Sequence, residues 1–210
     1  MFCLSIGLGK FEEISVAKFN GFTIVIDAGH GGRDGGSVGV NGTIEKEINL
    51  LYAKTLKEKL VDAGYRVVMT RETDAGLYSP FAQNKKLSDM NKRMNIIKKA
   101  NPNLVISIHM NSFSSAEARG VCTYHKIDDP ASIEIGNIIQ KLLKSIAGNG
   151  NEQSKAGDFF MLNCSYYTSI LIECGFLSNP EEERLLNSKE YMDKIVSAIV
   201  GGVMLYFGCV

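Results

Sequence analysis

An α/β layer architecture with a largely parallel sheet is the fold class this sequence predicts, and three observations lead there. Short apolar, β-branched runs alternate from end to end with longer stretches whose apolar residues keep helical spacing. No repeat or low-complexity block interrupts the alternation. A chain of 210 residues with 45% hydrophobic and 22% charged residues has enough apolar material to close one core without disulfide or metal staples.

The strands are read from runs too short for a helix: Phe22 to Ala28, Arg66 to Thr70, Leu104 to His109, Gly120 to Tyr124 and Ser169 to Glu173. Between the first two, Ile48, Tyr52, Leu56, Leu60 and Ala63 mark a helix from Glu45 to Ala63. Thr43 is the expected cap, and Gly64 the expected left-handed stop. Met90, Met94 and Ile97 mark a second helix that ends before Pro102. A third, carried by Ile135, Ile139, Leu142 and Ile146, ends at Gly148-Asn149-Gly150, and a fourth fills Ser188 to Phe207. The segments Gly29 to Gly42, Asp74 to Lys86 and Gly148 to Gly157 are expected surface loops, where site walls usually lie.

Composition excludes several classes of function. With 23 basic against 23 acidic side chains there is no broad cationic face for nucleic acid or anionic lipid. Five cysteines, an odd number without a C-x-x-C pair, read as mostly reduced thiols. Residues 1–21 read as the remnant of a leader: Met1 to Leu8 is apolar but lacks a charged n-region and is too short for an export signal or a span. The catalytic domain is expected over 22–210. The glycines after the first strand do not form a nucleotide fingerprint, because Asp34 stands where a third glycine is needed and no G-K-[ST] follows.

Chemistry concentrates at strand ends. His30 follows the first strand, His109 closes the third and Glu173 closes the last, so a parallel sheet brings all three to the edge where such folds build sites. Glu45 begins the first helix after a glycine-rich loop able to fold back onto His30. Two imidazoles and a carboxylate form a His2Glu set, a known first shell for catalytic zinc, and a further carboxylate can take a proton from attacking water. The ordinary alternatives are a loop histidine, a core-edge histidine and a helix-dipole carboxylate. Asn111, two residues past His109, is a candidate substrate contact or a turn residue bonding its own backbone. Tyr166 and Tyr167 read as packing residues. His125 reads as a surface residue.

The string Ile26-Asp27-Ala28-Gly29-His30-Gly31-Gly32-Arg33-Asp34-Gly35-Gly36, then Glu45-Lys46, Ser107-Ile108-His109-Met110-Asn111-Ser112 and Glu173-Cys174-Gly175-Phe176-Leu177-Ser178-Asn179, resembles the zinc-dependent N-acetylmuramoyl-L-alanine amidases of bacterial cell walls. The resemblance runs from about residue 22 to 208. It implies a twisted, mixed, mostly parallel sheet of about six strands flanked by helices on both faces. It also implies one zinc ion held by His30, Glu45 and His109, with Glu173 as the catalytic carboxylate. Ala28 replaces a common Pro, and Cys174 replaces an aliphatic residue or Thr. The segment Lys85 to Met90 with Arg93 is most like the germination-specific, spore-cortex branch. Peptidoglycan is then the substrate, outside the cytoplasmic membrane, with an accessory activator protein or lipoprotein as a further partner. Membrane attachment would come only through a leader. Two other readings stay open: a Cys/His cell-wall peptidase using Cys174, and a non-catalytic peptidoglycan-binding regulator of the same fold.

Overall fold

The protein is described by a computed structural model covering residues 19–163 and 166–209. Most of the expected leader remnant, Cys3 and Cys164 therefore lie outside the described residues. Six strands form one sheet: β1 (Thr23–Ala28), β2 (Arg66–Met69), β3 (Leu104–Asn111), β4 (Cys122–His125), β5 (Lys155–Ala156) and β6 (Ser169–Phe176). Their spatial order is β2-β1-β3-β6-β4-β5. The first four in that order run parallel, β4 lies antiparallel to β6, and β5 pairs parallel with β4.

Helices cover both faces. Helices α1 (Glu45–Asp62), α3 (Pro130–Ala147), α5 (Pro180–Leu186) and α6 (Lys189–Phe207) share the larger core with Ile24, Ile26, Ile106, Ile108, Ile170 and Ile172. On the opposite face α2 (Lys85–Ala100) and α4 (Phe160–Asn163) supply Met94, Ile97 and Met161 to a smaller core with Val25 and Val105. Alternation along a strand explains the division. Even-numbered residues of β1, β3 and β6 face the large core and odd-numbered ones the small core, so Asp27, Ser107, His109 and Glu173 all lie on the α2/α4 side.

Several ends differ from expectation. Thr43 does not cap α1; Ile44 holds that position, and the Thr43 hydroxyl accepts from Asn187 Nδ2 at 2.9 Å. The glycine-rich loop does the capping instead, with Glu45 N donating to Ser37 O and Lys46 N to Gly35 O. Gly64 adopts the expected left-handed conformation at φ 87°. The strand expected at Gly120–Tyr124 is shifted to Cys122–His125, because Gly120, at φ 102°, sits in the turn entering it. β5 arises in the stretch Gly148 to Gly157 read as a loop, and α4 and α5 in stretches to which the sequence assigned no element; α5 is started by Asn179, whose side chain accepts from Glu181 N and Glu182 N, with Pro180 next. His125 is buried rather than solvated, with Nδ1 2.8 Å from Ser154 Oγ. Tyr167 packs on the small core, but Tyr166 is 98% exposed and packs on nothing. No helix among the described residues is long and apolar enough to cross a membrane.

Gly201 and Gly202 mark the crossing of α6 over α3. A Cβ at Gly202 would lie 2.5 Å from Ile139 Cγ1, whereas one at Gly201 would meet nothing within 4 Å. Gly202→Leu is therefore expected to lower the unfolding free energy by about 1–3 kcal/mol. Gly201→Ala should raise it by about 0.5–1 kcal/mol, both read from urea-denaturation midpoints.

Candidate metal centre and catalytic carboxylate

The site forms where β1, β3 and β6 end. Glu45, the first residue of α1, is buried, and its Oε1 lies 3.1 Å from both His30 Nε2 and His109 Nδ1. Its Oε2 accepts from Ser37 N at 2.8 Å. The two imidazole rings meet edge to face with centroids 5.0 Å apart. One ligand-capable atom from each of the three residues lies within 4.8 Å of the others. Residues 15 and 64 positions from Glu45 in the chain thus share one of its oxygens.

Close approach requires glycine at two places. A Cβ at Gly29 would fall 2.3 Å from His109 Cε1. One at Gly36, where φ is 68°, would fall 2.5 Å from Glu45 Oε2 and 2.8 Å from His30 Cδ2. His30 itself is held at φ 60°, a left-handed conformation uncommon for a residue with a side chain. Two guanidinium groups secure it: Arg93 Nη2 donates to His30 O, Arg93 Nη1 to Ala28 O, and Arg71 Nη2 to Gly29 O. Arg93 is anchored in turn by Asp27 and Asp89, each at 2.7 Å. Thr70 Oγ1 and Ser107 Oγ also donate to Asp27.

Asp34 lies 2.9 Å from His30 Nδ1 and fixes that ring from behind, the usual carboxylate support for a metal-binding imidazole. Burial lowers the His30 pKa, but the Glu45 and Asp34 carboxylates outweigh it and raise the net value. Burial pushes the Glu45 carboxyl up, yet hydrogen bonds from His109 and His30 and their charge bring it well below the usual range. The donor set suits a borderline-soft divalent ion such as zinc: two imidazole nitrogens and one carboxylate held deprotonated.

Glu173 stands in register with His109 across the β3–β6 pairing, on the same face of the sheet. Its Oε2 is buried with no hydrogen-bond partner. Burial raises its pKa to about 7 against the opposing influence of His109, with Glu45 adding to the rise and His30 opposing it. A cleft of about 230 Å³ opens over it between His30, His109 and the wall Phe159, Phe160 and Met161. A carboxyl group with affinity for a proton near neutrality, beside a metal-capable cluster and open to a cleft, can move protons for hydrolysis.

The four residues expected from the sequence thus converge. Asn111 lies at the β3 end, beyond an irregularity in pairing between His109 and Asn111, and its Oδ1 accepts from Ser112 N at 2.8 Å. Cys174 points to the opposite face, fully buried in the large core, and burial pushes its thiol far up, which removes it as a nucleophile. The Asp34 support and the Phe159–Met161 wall were not singled out by the sequence; the four-residue spacing from His30 to Asp34 within a glycine-rich loop was the available signal.

Comparison with known proteins shows which family and fold the chain resembles. The family model described as N-acetylmuramoyl-L-alanine amidase matches residues 24–204. The germination-specific N-acetylmuramoyl-L-alanine amidase of Bacillus subtilis (strain 168) is 34% identical over 193 residues, covering 90% of this chain and 81% of the relative. The CwlD amidase of Clostridioides difficile, solved in complex with the GerS lipoprotein, superposes with a TM-score of 0.82 at 35% identity, over 89% of this chain and 98% of that one. The catalytic domain of CwlV, an N-acetylmuramoyl-L-alanine amidase from Bacillus (Paenibacillus) polymyxa var. colistinus, gives 0.78 at 28% identity, over 90% and 99%.

The buried Asp27–Arg93 pair sets an acid limit on stability. Burial alone would raise the Asp27 pKa, but the Arg93 charge and the hydrogen bonds from Thr70, Ser107 and Arg93 lower it from 3.8 to about 2. A depressed folded-state pKa contributes stability above the unfolded value that is lost as pH falls through the folded one, here on the order of 2 kcal/mol. The stability difference between wild type and Asp27→Asn, measured by denaturation at successive pH values, should shrink by that amount between about pH 5 and about pH 2.

Proposed function

The chain belongs to the N-acetylmuramoyl-L-alanine amidase family, and from that premise we propose that it is a zinc-dependent member in which His30, Glu45 and His109 hold the ion and Glu173 is the catalytic carboxylate. The reaction is hydrolysis of the amide between the lactyl group of N-acetylmuramic acid and L-alanine of the peptidoglycan stem peptide. One observation carries the assignment of roles: Glu173, with a buried carboxyl oxygen that has no partner, lines one cleft together with the two histidines of a His2Glu cluster.

Zinc bound by these three residues supplies Lewis acidity, lowering the pKa of water towards ~7 and polarising a carbonyl. The remaining work belongs to side chains of this chain. Ionised Glu173 accepts at Oε2 a proton from the attacking water, and the resulting carboxylic acid returns it to the departing amine nitrogen. A pKa of about 7 suits both halves of that exchange. Asp34 keeps the His30 ring oriented, and Phe159, Phe160 and Met161 limit water in the cleft. Asn111, with Oδ1 engaged by Ser112, keeps its amide nitrogen as the donor it offers substrate.

A role in spore-cortex maturation for germination follows from similarity to the germination-specific amidase of B. subtilis. A lipoprotein partner is supported by the complex in which the C. difficile relative was solved. Both support a location on the outer side of the cytoplasmic membrane, where peptidoglycan lies.

Glu173→Gln should retain zinc, measured by elemental analysis, and lose roughly 10²- to 10⁴-fold in kcat. Chelation should abolish wild-type turnover and added zinc restore it, while alkylation of thiols leaves it intact. Digested sacculi should yield free stem peptides and intact glycan by mass spectrometry; cut glycan or cleaved peptides would contradict the reaction.

A further inference from the structure

We propose that a second cleft, adjoining the one over Glu173, is a carboxylate-binding subsite that holds the acidic stem peptide while its first amide lies at the catalytic carboxylate. The proposal rests on the amidase reading and names the part of the substrate that this cleft receives.

The cleft measures about 290 Å³ and is lined by Arg33, Lys85 and Lys86 with Tyr78 and Met90. Lys86, Met90 and Asp34 line both clefts, so the two are continuous. Two acids, Asp34 and Asp89, also border it; Asp89 is engaged inward through both oxygens, and Asp34 through Oδ1 alone. Asp34 bonds His30 Nδ1 at 2.9 Å and Gly36 N at 3.2 Å. Asp89 bonds Arg93 Nε at 2.7 Å and Leu77 N at 2.5 Å. No ion pair reaches Arg33, Lys85 or Lys86 among the described residues. In a chain with no net charge, three cations thus border one concave surface, with Lys86 near Asp34 and no ion pair closed by the three among the described residues.

Local structure does not account for them. Lys85 and Lys86 are the first two residues of α2, and that helix has no acid in its first turn. Cations there oppose the helix dipole, so the local cost needs a gain elsewhere. An anion in the cleft supplies it. The apolar walls also suit a peptide: the Tyr78 ring carries Lys85 Nζ 5.5 Å from its centroid, and Met90 offers an adaptable surface to methylene groups. A stem peptide has this combination of features, because its glutamate and the residues beyond it present free carboxylates on short aliphatic stems.

The test uses two soluble muramyl peptides identical except that the glutamate α-carboxylate is free in one and amidated in the other. Wild-type enzyme and an Arg33→Gln/Lys85→Gln/Lys86→Gln variant are assayed on both, with lone Lys86→Gln as the milder substitution. Wild type should prefer the free acid by roughly tenfold to a hundredfold, expressed in KM rather than kcat and weakening with added salt. The triple variant should lose that preference and Lys86→Gln part of it. A wild type indifferent to amidation, or variants that keep its full preference, would overturn the subsite. The same pair of ligands titrated into zinc-loaded Glu173→Gln protein, with and without the three substitutions, gives the preference as a ratio of Kd values. If that ratio behaves as expected while neither peptide is hydrolysed by wild type, the subsite stands and the amidase reading falls.

Discussion

A single carboxylate oxygen organises this protein. Glu45 Oε1 sits 3.1 Å from His30 Nε2 and from His109 Nδ1, and that shared contact joins the start of α1, the loop after β1 and the end of β3. Burying a carboxylate is costly unless it is paired. Two imidazoles and the Ser37 amide compensate it here. The same three side chains form a donor set suited to zinc. What satisfies the buried charge in the fold is therefore also a group able to hold a metal ion, and an unpartnered oxygen of Glu173 is left beside it.

That contact persists only because the surrounding backbone is over-determined. Arg71 and Arg93 take the carbonyls of Ala28, Gly29 and His30, which holds His30 in a left-handed conformation its side chain would not choose. Arg93 is in turn neutralised by Asp27 and Asp89 on the α2 face of the sheet. The small core thus carries a polar network beneath the site, while the apolar stabilisation lies mainly across the sheet with α1, α3 and α6.

Much of this was legible in the sequence, for physical reasons that differ by element. The runs at Thr23–Ala28, Leu104–Asn111 and Ser169–Phe176 are buried on both faces and therefore read as continuous apolar strands. Their polar terminal residues stood out against that background, which is why His30, His109 and Glu173 could be placed together. Glu45 was recognisable by position at a helix start, although Thr43 was mistaken for its cap because the capping groups are loop carbonyls that leave no mark in side-chain identity. β5 has two exposed residues and no hydrophobic pattern to read. His125 looked solvated beside Lys126, Asp128 and Asp129, yet α3 and the Ser154 loop cover it. The Asp27–Arg93 anchor joins residues 66 positions apart, a pairing that only the folded chain reveals.

The account is tested most directly by anomalous diffraction at the zinc absorption edge from crystals of the zinc-loaded protein. It predicts one strong peak per chain, bounded by His30, Glu45 and His109, with the Glu173 carboxyl group facing it across the cleft. A fully loaded protein whose peak lies elsewhere, with Glu45 still bridging the two histidines alone, would contradict it.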